Sequence, residues 1–88
     1  MELTAEEERV LATISGLCKG DLSVPVTIGA IHERCQDLDV RDLVRCLKIL
    51  LRNGCVENVK QTPEGIGNSF YLTACGQDYC ARKDAAFY

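Results

Sequence analysis

The chain has one histidine, His32, two prolines and no Cys-x-x-Cys pair. It has no glycine-rich loop of the kind that cradles phosphate, and no acid and base at a recognisable catalytic spacing. A zinc site built from cysteine and histidine therefore has poor support. Enzymatic chemistry is not expected, nor is a resident cofactor. No apolar run approaches the roughly 20 residues needed to span a bilayer. The first residues are acidic (Glu2, Glu6, Glu7, Glu8), whereas an export signal is basic and then apolar. The expectation is a cytoplasmic protein with no membrane partner. Internal repeats and low-complexity tracts are also missing.

What is present is enough for one small domain over residues 1–88. Hydrophobic residues make up 47% and charged residues 26%, close to the averages for globular chains, so one core is expected but no deep substrate cavity. The net charge of -3 is unevenly spread. Residues 1–39 carry net -5, residues 40–60 net +3 and residues 61–88 net -1. A binding face needs only local positive potential, so the middle segment matters more than the sum.

Six cysteines in so short a chain (Cys18, Cys35, Cys46, Cys55, Cys75, Cys80) suggest a disulfide scaffold only where a secretory signal accompanies them. Without one they read as reduced thiols, with Cys18 and Cys35 on apolar helix faces. The alternative is a redox-, metal- or cluster-sensing role for some of them. His32 borders an apolar face and reads as a partly buried core histidine.

Thr4-Ala5-Glu6-Glu7 has the capping-box pattern, and Val10, Leu11, Ile14, Leu17 and Cys18 continue a helical face, giving a helix over 4–19. Gly16 inside it weakens the helix unless another backbone packs closely there. Gly20 to Pro25 is a turn, with Val24–Val26 as a short edge strand. Thr27 caps a second helix over 27–36 that carries Ile28, Ile31 and Cys35 inward. Gln36 to Asp39 makes a tight connection, with Leu38 packing between two helices. Two helices joined so closely form a helix-turn-helix arrangement.

The next helix, over 40–53, dominates the chain. Val40, Leu43, Val44, Leu47, Leu50 and Leu51 recur at i, i+3, i+4, i+7, while Arg41, Arg45, Lys48 and Arg52 repeat the same spacing one position out of phase. Asp39 caps it, and Asn53-Gly54 ends it. Cys55–Gln61 and Ser69–Thr73 are strand candidates around the turn-rich Thr62-Pro63-Glu64-Gly65-Ile66-Gly67-Asn68, so 55–73 reads as a hairpin. Thr73 caps a last helix over 74–86, with Tyr79, Ala86 and Cys75 inward.

Two passages resemble a known family. Leu47-Lys48-Ile49-Leu50-Leu51-Arg52-Asn53-Gly54-Cys55-Val56-Glu57 is similar to the recognition-helix exit and first wing strand of MarR-like and PadR-like transcriptional regulators. Tyr71-Leu72-Thr73-Ala74-Cys75-Gly76 is similar to the end of their second wing strand. The resemblance covers residues 4–83. It implies a mostly helical α+β winged helix-turn-helix fold: a three-helix core, a two-stranded wing with a short third strand, and a C-terminal helix.

The resemblance further implies that helix 40–53 enters the major groove of double-stranded DNA. Arg41 and Arg45 are then the first candidates for contact, with Lys48, Arg52, Thr27, Lys60 and Asn68 on the DNA backbone. A homodimer through the C-terminal helix, with Phe87-Tyr88, or through helix one would supply a second half-site. The wing departs from the family in having no Arg or Lys between Thr62 and Asn68, where Glu64 stands instead. An acidic chain with an uncharged wing also fits a protein-binding module without DNA binding.

Overall fold

The computed structural model describes residues 2–60 and 67–86, with side chains through Arg82. Among these residues four helices and a three-stranded antiparallel sheet make a mostly helical α+β architecture, in the order α1 (Ala5–Cys18), β1 (Val26–Thr27), α2 (Ile28–Arg34), α3 (Val40–Arg52), β2 (Val56–Asn58), β3 (Ser69–Leu72) and α4 (Ala74–Ala86).

Helix α1 starts where the capping box places it. Thr4 Oγ1 accepts from the Glu7 N–H at 3.3 Å, and Glu7 Oε1 accepts from the Thr4 N–H at 2.9 Å. The reciprocal bonds satisfy two backbone donors that a helix start leaves open, which is why Glu7 tolerates burial. Val10, Leu11, Ile14 and Cys18 form its buried face. Lys19 ends it in the left-handed region (φ 54°), and Gly20 follows at φ 75°.

Gly16 is exposed and has no heavy atom within 4 Å of where a Cβ would stand, so the close backbone packing expected there is absent. The expected strand Val24–Val26 also shifts. Val24 is used in a turn, donating to the Asp21 carbonyl at 3.2 Å, and Pro25 has no N–H to give a ladder, so pairing begins at Val26.

Strand β3 lies between β1 and β2. Val26 and Thr27 pair with Phe70 and Ser69, while Val56, Glu57 and Asn58 pair with Leu72, Tyr71 and Phe70. The central position buries Phe70 and Leu72 on alternate residues of β3. They meet Val10, Leu11, Ile14, Ile31, Leu43, Leu47 and Leu50 in one core, with α1 packed against α2, α3 and α4.

Thr73 joins the hairpin to α4. Its hydroxyl donates to the Gly54 carbonyl at 2.5 Å and accepts from the Gly76 N–H at 3.1 Å, capping the helix while holding the end of α3. Tyr79 packs inward as expected, and its hydroxyl donates to Glu8 Oε2 at 2.9 Å, fastening α4 to α1. Cys75 does not pack inward. It is exposed, and Cys80 is the cysteine of α4 that lies against the core. The inward placement expected of Ala86, the loop Thr62–Ile66, and Phe87-Tyr88 lie outside the described residues and side chains.

Candidate nucleic-acid interface

The turn before α3 sets how that helix is presented. Leu38 is buried between α2 and α3, its N–H donating to the Cys35 carbonyl at 3.0 Å. His32 Nε2 lies 3.1 Å from the Leu38 carbonyl oxygen, so the histidine is half-buried and occupied in closing the turn. Arg9 of α1 reaches Asp37 at 2.7 Å from the other side. The carboxyl of Asp37 is held below its usual range, chiefly by this hydrogen bond.

Asp39 Oδ1 accepts from the Asp42 N–H at 2.8 Å, so α3 begins at Val40. Leu43, Cys46, Leu47 and Leu50 are its buried residues. The inner face is thus rotated from the one expected. Cys46 is buried, Val44 and Leu51 are half-buried, and Val40 is 55% exposed. At about 100° per residue, the buried set is centred nearly opposite Arg41, Lys48 and Arg52. Val40, Val44 and Leu51 therefore sit on its border, and α1 with the sheet cover only the far side.

That rotation turns the four cations to solvent together. Arg41 and Arg52 are separated by about 16 Å along the axis at 1.5 Å per residue. Arg41, Arg45 and Lys48 line one open surface depression with Asp39, Val40 and Val44. Arg52 lies a turn beyond Lys48, outside that lining.

The cations are not equivalent. Arg45 Nη2 lies 3.3 Å from an Asp42 carboxylate oxygen and 3.6 Å from one of Glu6 in α1. Arg41, Lys48 and Arg52 form no ion pair with any described residue. Arg45 is thus the one most neutralised by described residues, although it stands beside Arg41 as a first candidate for contact. Its partner Glu6 is 39 positions away, and no pattern along α3 announces it.

The remaining candidates divide into two places. Thr27 caps α2, its hydroxyl oxygen accepting from the Ala30 N–H at 3.1 Å, and the Asn68 carbonyl accepts from the Ile28 N–H at 2.9 Å. Thr27 and Asn68 therefore meet at the start of α2, both exposed. Lys60 is exposed just past β2, whose hairpin is kept by the Val59 N–H bonding to the Ser69 carbonyl at 3.1 Å and the Gly67 N–H to Asn58 Oδ1 at 2.9 Å.

Sequence reasoning missed Val40 and Val44 as surface residues. The available signal was their angular position next to the basic stripe, which a periodic apolar count merges with the core.

The cysteines remain thiols: Cys18, Cys35, Cys46 and Cys55 are buried, Cys80 is half-buried and Cys75 is exposed. Burial pushes the Cys46 thiol up, with Glu6 and Glu7 adding to it, and burial also pushes up Cys55, with Cys75 adding to it. Among the described residues no group of three or more His, Cys, Asp or Glu side chains is arranged to hold a metal ion. None of the described helices is long and apolar enough to cross a membrane. No family model, curated protein or solved structure matches this chain.

Proposed function

We propose that the chain is a winged helix-turn-helix domain that binds double-stranded DNA as a cytoplasmic transcriptional regulator, with α3 as the recognition helix and the β2–β3 hairpin as the wing. The observation that carries the reading is the solvent-facing row Arg41, Lys48 and Arg52, without ion-pair partners among the described residues, on a helix pinned by a short turn. A helix of this diameter fits the major groove, and unpaired cations are free to replace condensed counterions on phosphate. The strand order β1-β3-β2 and the helix order around it support the same reading.

In this arrangement Arg41 and Lys48 take the principal contacts. Arg52, Thr27, Lys60 and Asn68 serve the DNA backbone, and Arg45 contributes after it leaves Glu6 and Asp42. One short helix reads few base pairs, so a homodimer through α4 or α1 supplies a second half-site.

Fluorescence anisotropy with a duplex pool at two salt concentrations tests the proposal. Affinity should fall steeply with salt. Arg41→Ala with Lys48→Ala should weaken binding and reduce the magnitude of the log–log salt slope by about two, at roughly 0.9 per phosphate contact. No binding at low salt would defeat it and favour a protein partner for the same face.

A further inference from the structure

We infer that Val40 and Val44 form an apolar reading edge for the C5-methyl groups of pyrimidines in the major groove; this rests on the DNA-binding reading above. Val40 is 55% exposed although it opens a helix whose other side is fully buried, and Val44 is half-buried beside it. The two valines line the same depression as Arg41, Arg45 and Lys48, with the capping Asp39 at its end, so apolar methyls lie beside cations on one surface. Val40 is left largely in water, which apolar surface avoids where it can.

The charge around the valines selects the occupant. Arg41 and Lys48 favour a polyanion, and within the major groove of a duplex the apolar group available to a side chain is the pyrimidine C5-methyl. The cation row lies to one side of the valines, so cations that follow the phosphates along one groove wall leave the valines turned towards the bases beside it. Residues four apart on α3 are separated by about 6 Å along its axis. That is close to two base steps at about 3.4 Å each. The edge therefore suits two methyls about two steps apart. Thymine carries that methyl, and so does 5-methylcytosine, which presents a donor where thymine presents an acceptor.

The test begins with selection of duplexes from a random pool by the 88-residue chain at low salt, followed by anisotropy on the enriched duplex. Replacing thymine by deoxyuridine at the contacted steps removes only the methyl and should weaken binding about fourfold per methyl. Cytosine and 5-methylcytosine at the same steps separate the two sources. Thymine alone binding well assigns thymine, and recovery by 5-methylcytosine over cytosine assigns the methyl irrespective of its base.

Val40→Ser with Val44→Ser should abolish the thymine–deoxyuridine difference while leaving the salt slope intact. A thermal melt shows whether that variant is folded, and if it is not, the deoxyuridine arm on the unaltered protein decides alone. Salt-sensitive binding that is indifferent to every methyl overturns this inference and leaves DNA binding standing. Failure to retain any duplex overturns both, and leaves the valines and cations to a protein partner.

Discussion

Gly76, in the first turn of α4, lies so close to Cys55 that a Cβ at position 76 would run into the Cys55 carbonyl oxygen. That carbonyl accepts from the Thr73 N–H at 3.1 Å, so it cannot swing away without releasing the start of α4. The obstruction is a backbone carbonyl and not the end of a flexible side chain, and the cost resembles overpacking a core, about 1–3 kcal/mol or more. Gly76→Ala should lower the urea midpoint sharply. Thr73→Ala should cost about 1–2 kcal/mol through loss of the cap, and Thr73→Ser should recover most of it.

Gly16 presents the reverse case. It lies inside α1, exposed and with open space around its absent side chain. Gly16→Ala should stabilise the protein by up to about 1 kcal/mol, since alanine loses less backbone entropy in a helix. A rise in the denaturation midpoint at unchanged m-value is the expected reading, and a fall would show that something packs there.

Glu6 holds Arg45 from the neighbouring helix. Glu6→Gln should leave the guanidinium paired with Asp42 alone and remove a negative charge near the proposed phosphate path. Duplex affinity at low salt should therefore rise, whereas Arg45→Ala should cost less than Lys48→Ala. Anisotropy of the three variants at one ionic strength checks the order.

Thiol labelling should separate the cysteines by burial. Cys75 should react at once with an aromatic disulfide reagent in the native protein. Cys18, Cys35, Cys46 and Cys55 should react only as the domain opens, and Cys80 at an intermediate rate. Mass spectrometry after brief labelling identifies the positions. Rapid labelling of Cys35 or Cys46 in native protein would contradict the core described above.

Stability should fall at both ends of the pH range, for different residues. The Asp37 carboxyl lies lower when folded than when unfolded, so its contribution is complete above about pH 4 and is lost as pH drops through the folded value. Cys46 and Cys55 are pushed up on folding, so their protonated forms favour the native state below about pH 8.5. That advantage is lost as pH rises towards their folded values. Asp37→Asn should flatten the acid limb of a melting-temperature profile, and Cys46→Ala should flatten part of the alkaline limb.

Local chemistry made much of this molecule legible from its residues. Thr4 with Glu7, Thr27, Asp39 and Thr73 each begin a helix in the expected place, because a cap acts over three or four neighbouring residues. Gly54, at φ 74°, ends α3 for an equally local reason. The aromatic-Leu-Thr-x-x-Gly passage was recognisable as a pattern. Its physical cause, Thr73 holding Gly54 while Gly76 admits the Cys55 carbonyl, is visible only once the chain is folded.

Periodicity along α3 established that one side is apolar and the adjoining side basic, since side-chain direction repeats every 3.6 residues. Which apolar residues are covered depended on where α1 and the sheet lie. They took Cys46 and left Val40 in water, shifting the inner face by part of a turn. The same packing brought Glu6 to Arg45 and left Arg41, Lys48 and Arg52 without such partners among the described residues. Charge pairing between helices depends on distance in space, and burial depends on what stands opposite. Neither quantity exists along a single helix, so the composition of the basic face is local while its electrostatic inequality is tertiary.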